Sequence, residues 1–313
     1  MRKIHFRAWV IAPLLLLVVP IVAQQGSINP KAVALLKWYR ANLTTSFSSA
    51  AGPFGLAFDG ANVWVANWGS NNVTKVRASD GANLGTFAVG SAPISVAFDG
   101  TSIWVVNAWS NTVSKLRASD GATLGTFAVG TYPHGIAFDG ASIWVSNYWD
   151  STVTKLRTSD GATLGTFSTG AGEPRAVAFD GTNLWVANEF TSFVTVLRVS
   201  DGHVLATYSV ADSPTALAFD GTNIWVANEG SNLVTKLRAS DGARLGAYRV
   251  GASPRVMAFD GANIWVGNHD DRTVTKLRAS DGANLGTFPA GEGLAFDGAN
   301  IWIGGCGSGV CKM

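Results

Sequence analysis

The tetrapeptide Ala-Phe-Asp-Gly recurs seven times, beginning at Ala57, Ala97, Ala137, Ala178, Ala218, Ala258 and Ala295. Successive gaps are 40, 40, 41, 40, 40 and 37 residues. A fixed period of this length confines a chain to repeat architectures, in which one supersecondary unit packs on copies of itself. The second copy shows what the unit contains. ISVAF is closed by Asp99-Gly100, SIWVVN by Ala108-Trp109-Ser110-Asn111, and TVSKLR by Asp120-Gly121; ATLGTFAVG follows. Asp-Gly between β-rich runs is a hairpin signal. Four short strands in roughly 40 residues make a propeller blade. The fold class is therefore all-β: a seven-bladed β-propeller of four-stranded antiparallel blades.

Within each blade the strands, A to D, differ in character. A and B are apolar on both faces, which only a sheet packed on both sides tolerates. C carries Lys115 and Arg117, and D carries Thr126 and several Gly. A is thus placed at the axis and D at the periphery. Trp64, Trp104, Trp144, Trp185, Trp225, Trp265 and Trp302 recur on strand B. With Phe58 and its equivalents they are expected to fill the wedges between blades. Lys75, Arg77 and their copies read as a solvated outer face, with stems over apolar neighbours. The last unit supplies only A, B and C. TTSFSSAAGP, ahead of the first unit, repeats the spacing of a D strand, with Phe47 six residues before Pro53. An N-terminal strand is expected to complete the seventh blade and leave no open edge. An open solenoid is the alternative.

Residues 1–23 read as a signal peptide: a basic start with Arg2, Lys3 and Arg7, then an apolar run of 16 residues from Ala8 to Ala23. That run is short of the ~20 residues needed to span a membrane. Cleavage after Ala23 is the first expectation and a retained anchor the second, Ile21 not being the ideal small residue. The chain is thus expected to be exported, to the periplasm or beyond the cell, into an oxidising compartment where Cys306 and Cys311 form a disulfide. Residues 24–41 hold a short amphipathic helix from Pro30 to Ala41, a clasp on the ring or a partner-binding element. Residues 42–313 form the propeller, read as a monomer. Without the first 23 residues, 20 basic face 21 acidic residues. That balance argues against nucleic acid as a partner.

Pro93…Val96-Ala97-Phe98-Asp99-Gly100, Ile103-Trp104-Val105-Val106-Asn107 and Asn111-Thr112-Val113 resemble the bacterial YVTN-type repeat, a relative of NHL repeats. More distantly, the unit resembles that of streptogramin B lyase, through Pro133-His134-Gly135-Ile136. That resemblance implies a seven-bladed ring with acidic and histidine groups just after strand B. Where that family's repeats read Trp-Phe-Thr-Glu, this chain has Trp225-Val226-Ala227-Asn228.

Strand alternation puts the A–B and C–D turns on one end of the ring and the B–C and D–A loops on the other. The first end hardly varies between repeats, and its Asp and Gly residues are turn formers. The second varies, as a ligand surface on a fixed scaffold does. Its candidate binding residues are Trp68, Trp109, Tyr132, His134, Trp149, Glu173, Arg175, Glu189, Glu229, Arg255, His269, Asp270 and Glu292. Phe54, Tyr148, Asp150, Phe190, Asp212, Asp271 and Arg272 lie beside them. Blades one to three contribute mostly aromatic groups, the rest mostly charged ones. Aromatic groups beside fixed polar ones suit a sugar, a peptide or a flat organic molecule; plain solvated loops are the competing reading. Asn67, Asn107, Asn147, Asn188, Asn228 and Asn268, being repeated, read as loop caps.

No nucleophile elbow, P-loop or HExxH is present. The reading is therefore a binding scaffold for a protein, a glycan or a small molecule, with no catalytic residue assigned and no cofactor or resident metal. The alternative is a metal-assisted lyase or lactonase with Mg or Ca at the channel mouth, drawing on Glu189, Glu229, His134 and His269. A structural module of the cell envelope is a third class.

Overall fold

A computed structural model of the chain describes residues 46–313 apart from 171, 290, 292, 307 and 308, with the side chain of Cys306 also outside the description. The expected signal peptide, the expected helix and Glu292 lie outside the described residues. Seven four-stranded antiparallel sheets form a ring.

The chain enters through β1 (Ser46–Ser48). Blade one is β2 (Pro53–Phe58), β3 (Asn62–Asn67), β4 (Asn72–Arg77) and β5 (Asn83–Ala88). Blade two is β6 (Pro93–Phe98), β7 (Ser102–Asn107), β8 (Thr112–Arg117) and β9 (Thr123–Ala128). Blade three is β10 (Pro133–Phe138), β11 (Ser142–Asn147), β12 (Thr152–Arg157) and β13 (Thr163–Ser168). Blade four is β14 (Pro174–Phe179), β15 (Asn183–Asn188), β16 (Phe193–Arg198) and β17 (Val204–Ser209). Blade five is β18 (Pro214–Phe219), β19 (Asn223–Asn228), β20 (Leu233–Arg238) and β21 (Arg244–Arg249). Blade six is β22 (Pro254–Phe259), β23 (Asn263–Asn268), β24 (Thr273–Arg278) and β25 (Asn284–Pro289). Blade seven is β26 (Leu294–Phe296), β27 (Ile301–Cys306) and β28 (Gly309–Lys312), completed by β1. Phe47 stands opposite Val310 in the closing pair. The open solenoid is thereby set aside.

The core lies between blades. Trp64, Ala66 and Val73 of blade one bury themselves against Ile103, Val105 and Leu116 of blade two. Each strand-B Trp meets the aromatic ring of its own blade's D strand, at centroid distances of 5.4 to 6.0 Å. A buried Trp removes about 150–250 Å² from water, roughly 4–6 kcal/mol before entropy is counted. Glycine at the C–D turn is required twice over. Gly121 has φ +77, and a Cβ there would sit 2.1 Å from the Phe87 ring of the preceding blade.

The solvated outer face expected of Lys75 and its copies holds only in part. Arg77, Arg117, Arg157, Arg198, Arg238 and Arg278 are exposed, each pairing with the Asp three residues on. The lysines are not exposed: Lys75, Lys115 and Lys236 are 6, 8 and 6 % accessible. Each ammonium lies over the Trp of its own blade, Lys75 5.2 Å from the Trp64 ring. All but Lys276 also reach the next blade; Lys75 Nζ donates to Ala118 O at 2.7 Å and Ser119 O at 3.0 Å. A cation desolvated this way keeps charge-assisted hydrogen bonds and a π-face in exchange for water.

Candidate functional site

On strand A, residues two apart share a face. The residue after each blade-opening Pro therefore points to the axis, as does the residue two further on. Phe54, Ile94, His134, Arg175, Thr215 and Arg255 line the upper layer of a central cavity of about 210 Å³. Leu56, Val96, Ile136, Val177, Leu217, Met257 and Leu294 line the layer beneath. The mouth is thus a partly polar cup over an apolar collar.

Blades four and five bring acid to this cup. Their B–C loops make single 3-10 turns, Glu189–Thr191 and Glu229–Ser231, each starting at a glutamate. Arg175 Nη1 donates to Glu189 Oε1 at 2.6 Å and to Glu229 Oε2 at 3.4 Å. Arg255 donates to Glu229 Oε1 through Nε at 3.0 Å and Nη2 at 2.7 Å. The result is a chain of alternating charge, Glu189–Arg175–Glu229–Arg255. The first three side chains are only 12–18 % exposed. Partial burial makes such pairs matter more than surface ion pairs, and makes removal of one partner costly.

Aromatic groups stand next to this chain. Tyr132 stacks on Trp149 at 4.6 Å, and Tyr148 meets Tyr132 edge-on at 5.9 Å. Tyr132, His134, Tyr148, Trp149, Arg175 and Glu189 line a second pocket of about 290 Å³. Burial first, then the Arg175 guanidinium, push the His134 imidazole down to about 3, against the opposing pull of a hydrogen bond to the Arg175 backbone. His134 is neutral at any physiological pH, and so weak a base is poorly matched to general-base work. Burial, then the Glu189 carboxylate, raise the Tyr148 phenol above its ordinary value.

The loops that carry these groups are latched. Asn71 Oδ1 accepts from Ala92 N, Asn111 Oδ1 from Tyr132 N and Asn232 Oδ1 from Ser253 N, each at 2.9 Å. All three asparagines are left-handed, at φ 53, 55 and 56, a conformation Asn tolerates. The asparagines that end strand B hold their own B–C loops, as Asn107 Nδ2 donates to Thr112 and Ser114, and Asn147 Oδ1 also accepts from Gly130 N of the D–A loop at 3.0 Å.

The structure gathers Tyr132, His134, Trp149, Arg175, Glu189, Glu229 and Arg255 at or beside the mouth. Glu173 is near enough for its charge to act on Tyr148, and its backbone carbonyl accepts from Glu189 N at 3.1 Å. Trp68 and Trp109 pair with each other at 5.2 Å, away from both cavities. His269 lines neither cavity, its N–H donating to Ser253 O. Asp270 accepts from Ser253 Oγ, and Asp271 from Ala252 N, so both acids hold their loop. Among the described residues no group of three or more His, Cys, Asp or Glu could hold a metal ion. Sequence reading passed over Ile94, Thr215 and the apolar collar. Aligning the residue after each blade-opening Pro, and the one two further on, was the signal available.

No family model matches this chain. No curated protein matches it either. Solved structures do. Hydrazine synthase of Kuenenia stuttgartiensis is similar with a TM-score of 0.75 and 20 % identity, over 85 % of this chain and 96 % of that one. A streptogramin B lyase structure gives 0.74 and 17 %, over 85 % and 95 %. A catalytically inactive virginiamycin B lyase from Staphylococcus aureus with quinupristin gives 0.74 and 16 %, over 85 % and 97 %. At these identities the likeness is one of fold.

Proposed function

We propose that the chain is an exported propeller that binds a protein, a glycan or a small organic molecule through its D–A and B–C loop face. It acts as a monomer and needs no cofactor. One observation carries this reading: the partly buried Glu189–Arg175–Glu229–Arg255 chain beside the Tyr132–Trp149 stack. These residues break the repeat. Trp68, Ala108 and Tyr148 follow the strand-B Asn in blades one to three, and glutamates follow it in blades four and five. Repeats that hold a scaffold constant and diverge around one opening make a site there. The test is a thermal-shift screen of oligosaccharides, peptides and metabolite-sized compounds, with hits measured by calorimetry. A hit whose Kd rises at least about tenfold, or about 1.4 kcal/mol, in Arg175→Ala or Tyr132→Ala is expected. No hit, or hits indifferent to both substitutions, would refute the reading.

A second reading is a metal-assisted lyase or lactonase, favoured by the fold shared with streptogramin B lyase. Glu189 and Glu229 already converge on one guanidinium nitrogen, so a Mg or Ca ion would have to displace Arg175. Consumption of quinupristin in the presence of Mg, abolished in Glu229→Gln, would establish this reading over the first.

Export carries a corollary. Cys306 and Cys311 lie on the adjacent strands β27 and β28. A disulfide between them, worth about 2–3 kcal/mol by loop entropy, belongs to the same proposal. Two thiols titrating in unreduced periplasmic material would count against it.

A further inference from the structure

Large aromatic groups continue along the variable face from Trp149, which lines the pocket beside the mouth, outward to either side. Trp109, Trp149 and Phe190 are 62, 64 and 67 % exposed. Each stands two residues after the last Asn of strand B, in blades two, three and four. Trp68 of blade one meets Trp109 edge-on, and Tyr148 meets Phe190 edge-on at 6.4 Å. The rings therefore follow one another around consecutive blades. Leaving such rings in water, in register, is unusual for a surface with no partner. Asn71 and Asn111 latch the loops between them, so little order remains to be imposed on binding.

The surroundings identify the chemistry. Loops 49–53, 67–71, 89–93, 107–111, 129–133 and 147–151, those of blades one to three, contain one charged residue, Asp150, already accepting from Thr131 N at 2.6 Å; beside Phe190 the loops of blade four add Glu173 and Glu189, the latter paired with Arg175. An acidic polymer or an anionic membrane would find no Lys in these loops, and the one neighbouring arginine, Arg175, is already paired with Glu189 and Glu229. A peptide anchor needs a pocket to fill, whereas Trp109 and Phe190 line neither cavity and Trp149 already fills its side of one by stacking on Tyr132. The remaining polar side chains are the hydroxyls and amides of Ser, Thr, Tyr and Asn. A matching partner is uncharged, carries hydroxyls on its edges, and offers slightly positive C–H groups to the negative π-faces. One ring per blade suits a polymer with a repeating unit.

We infer that the Trp109–Trp149–Phe190 row binds a neutral hexose polysaccharide along its length. The inference rests on the loop face being the binding surface, and names its ligand class.

The test is native electrophoresis of the full chain through gels containing soluble β-glucan, mannan or galactan, with alginate as the acidic comparison. At least one neutral polymer retards the protein, with an apparent Kd unchanged between low and high salt. The double variant Trp109→Ala/Trp149→Ala loses at least about tenfold in affinity while keeping the parent melting temperature, and Trp68→Ala loses less. Three outcomes overturn the inference: no retardation by any neutral polymer, retardation unchanged in the double variant, or salt-sensitive retardation by alginate alone. Should the polymers fail while a small ligand binds at the mouth, this inference falls and the wider reading stands; should both fail, both fall.

Discussion

Every strand-B Trp has its indole N–H taken by the aspartate five residues earlier, as in Trp104 Nε1 to Asp99 Oδ2 at 2.7 Å. Asp99 also accepts from the Thr101 and Ser102 backbone through Oδ1. The aspartate is thus both the turn former its repetition suggested and the polar anchor of the largest core residue. The first role was legible because Asp-Gly is a local signal. The second depends on hairpin geometry that folds the indole back over the turn. Asp99→Asn keeps the shape and replaces a charged acceptor with a neutral one; a loss of about 1–3 kcal/mol in urea unfolding is expected. Burial pushes the carboxyls of Asp59, Asp99, Asp220, Asp260 and Asp297 up, but the indole and amide donors outweigh it and hold them below 3.8. A lowered folded pKa stabilises above the unfolded value and is lost as pH falls through the folded one. Stability is therefore expected to hold from pH 7 to about 4 and then drop. The acid-side slope is shallower in Asp99→Asn.

At the scale of elements, a lysine on strand C joins blades one, two, three, five and seven to the next. Lys115 Nζ donates to Thr158 O at 2.5 Å, Lys155 to Val199 O at 2.6 Å and Lys236 to Ala279 O at 2.7 Å. Blade four has Val196 opposite Trp185 where the others have lysine, so the seam to blade five lacks this clasp. Lys115→Met is expected to lower stability by about 1–3 kcal/mol, the range for a charge-assisted hydrogen bond. Among the described residues Lys276 of blade six keeps only its contact with Trp265, so the seam to blade seven lacks the clasp as well; hydrogen exchange should show these two seams opening before those that carry the clasp in the parent protein. Sequence alone displayed the strands, their order and the polar ends of the repeat, because all of these are local or periodic. It misassigned the lysines because their partners lie 43 or 44 residues away, on a neighbouring blade. The mouth was legible in the same partial way. Arg175, Glu189, Glu229 and Arg255 stood out as departures from the repeat, whereas their pairing depends on which side chains the ring turns inward.

For the molecule as a whole, closure rests on three residues of β1 and on Lys312. The Phe47 ring lies 5.4 Å from Trp302, and a Cβ on Gly81 of blade one would strike it. Lys312 Nζ donates to Ala78 O at 3.1 Å, carrying the clasp from blade seven back to blade one. Phe47→Ala empties a half-filled wedge. A loss of about 2–4 kcal/mol is expected in urea unfolding, below the cost for a fully buried Phe. Exchange should quicken first in β26, β27 and β28.

Phe47 must find Val310, so the first of the described strands waits for the last. Until they meet, blade seven lacks its outermost strand, and contacts this distant in sequence form slowly. Any factor that grips the stretch around Phe47 before Val310 emerges would hold the ring open, making the timing of that release a control point for assembly.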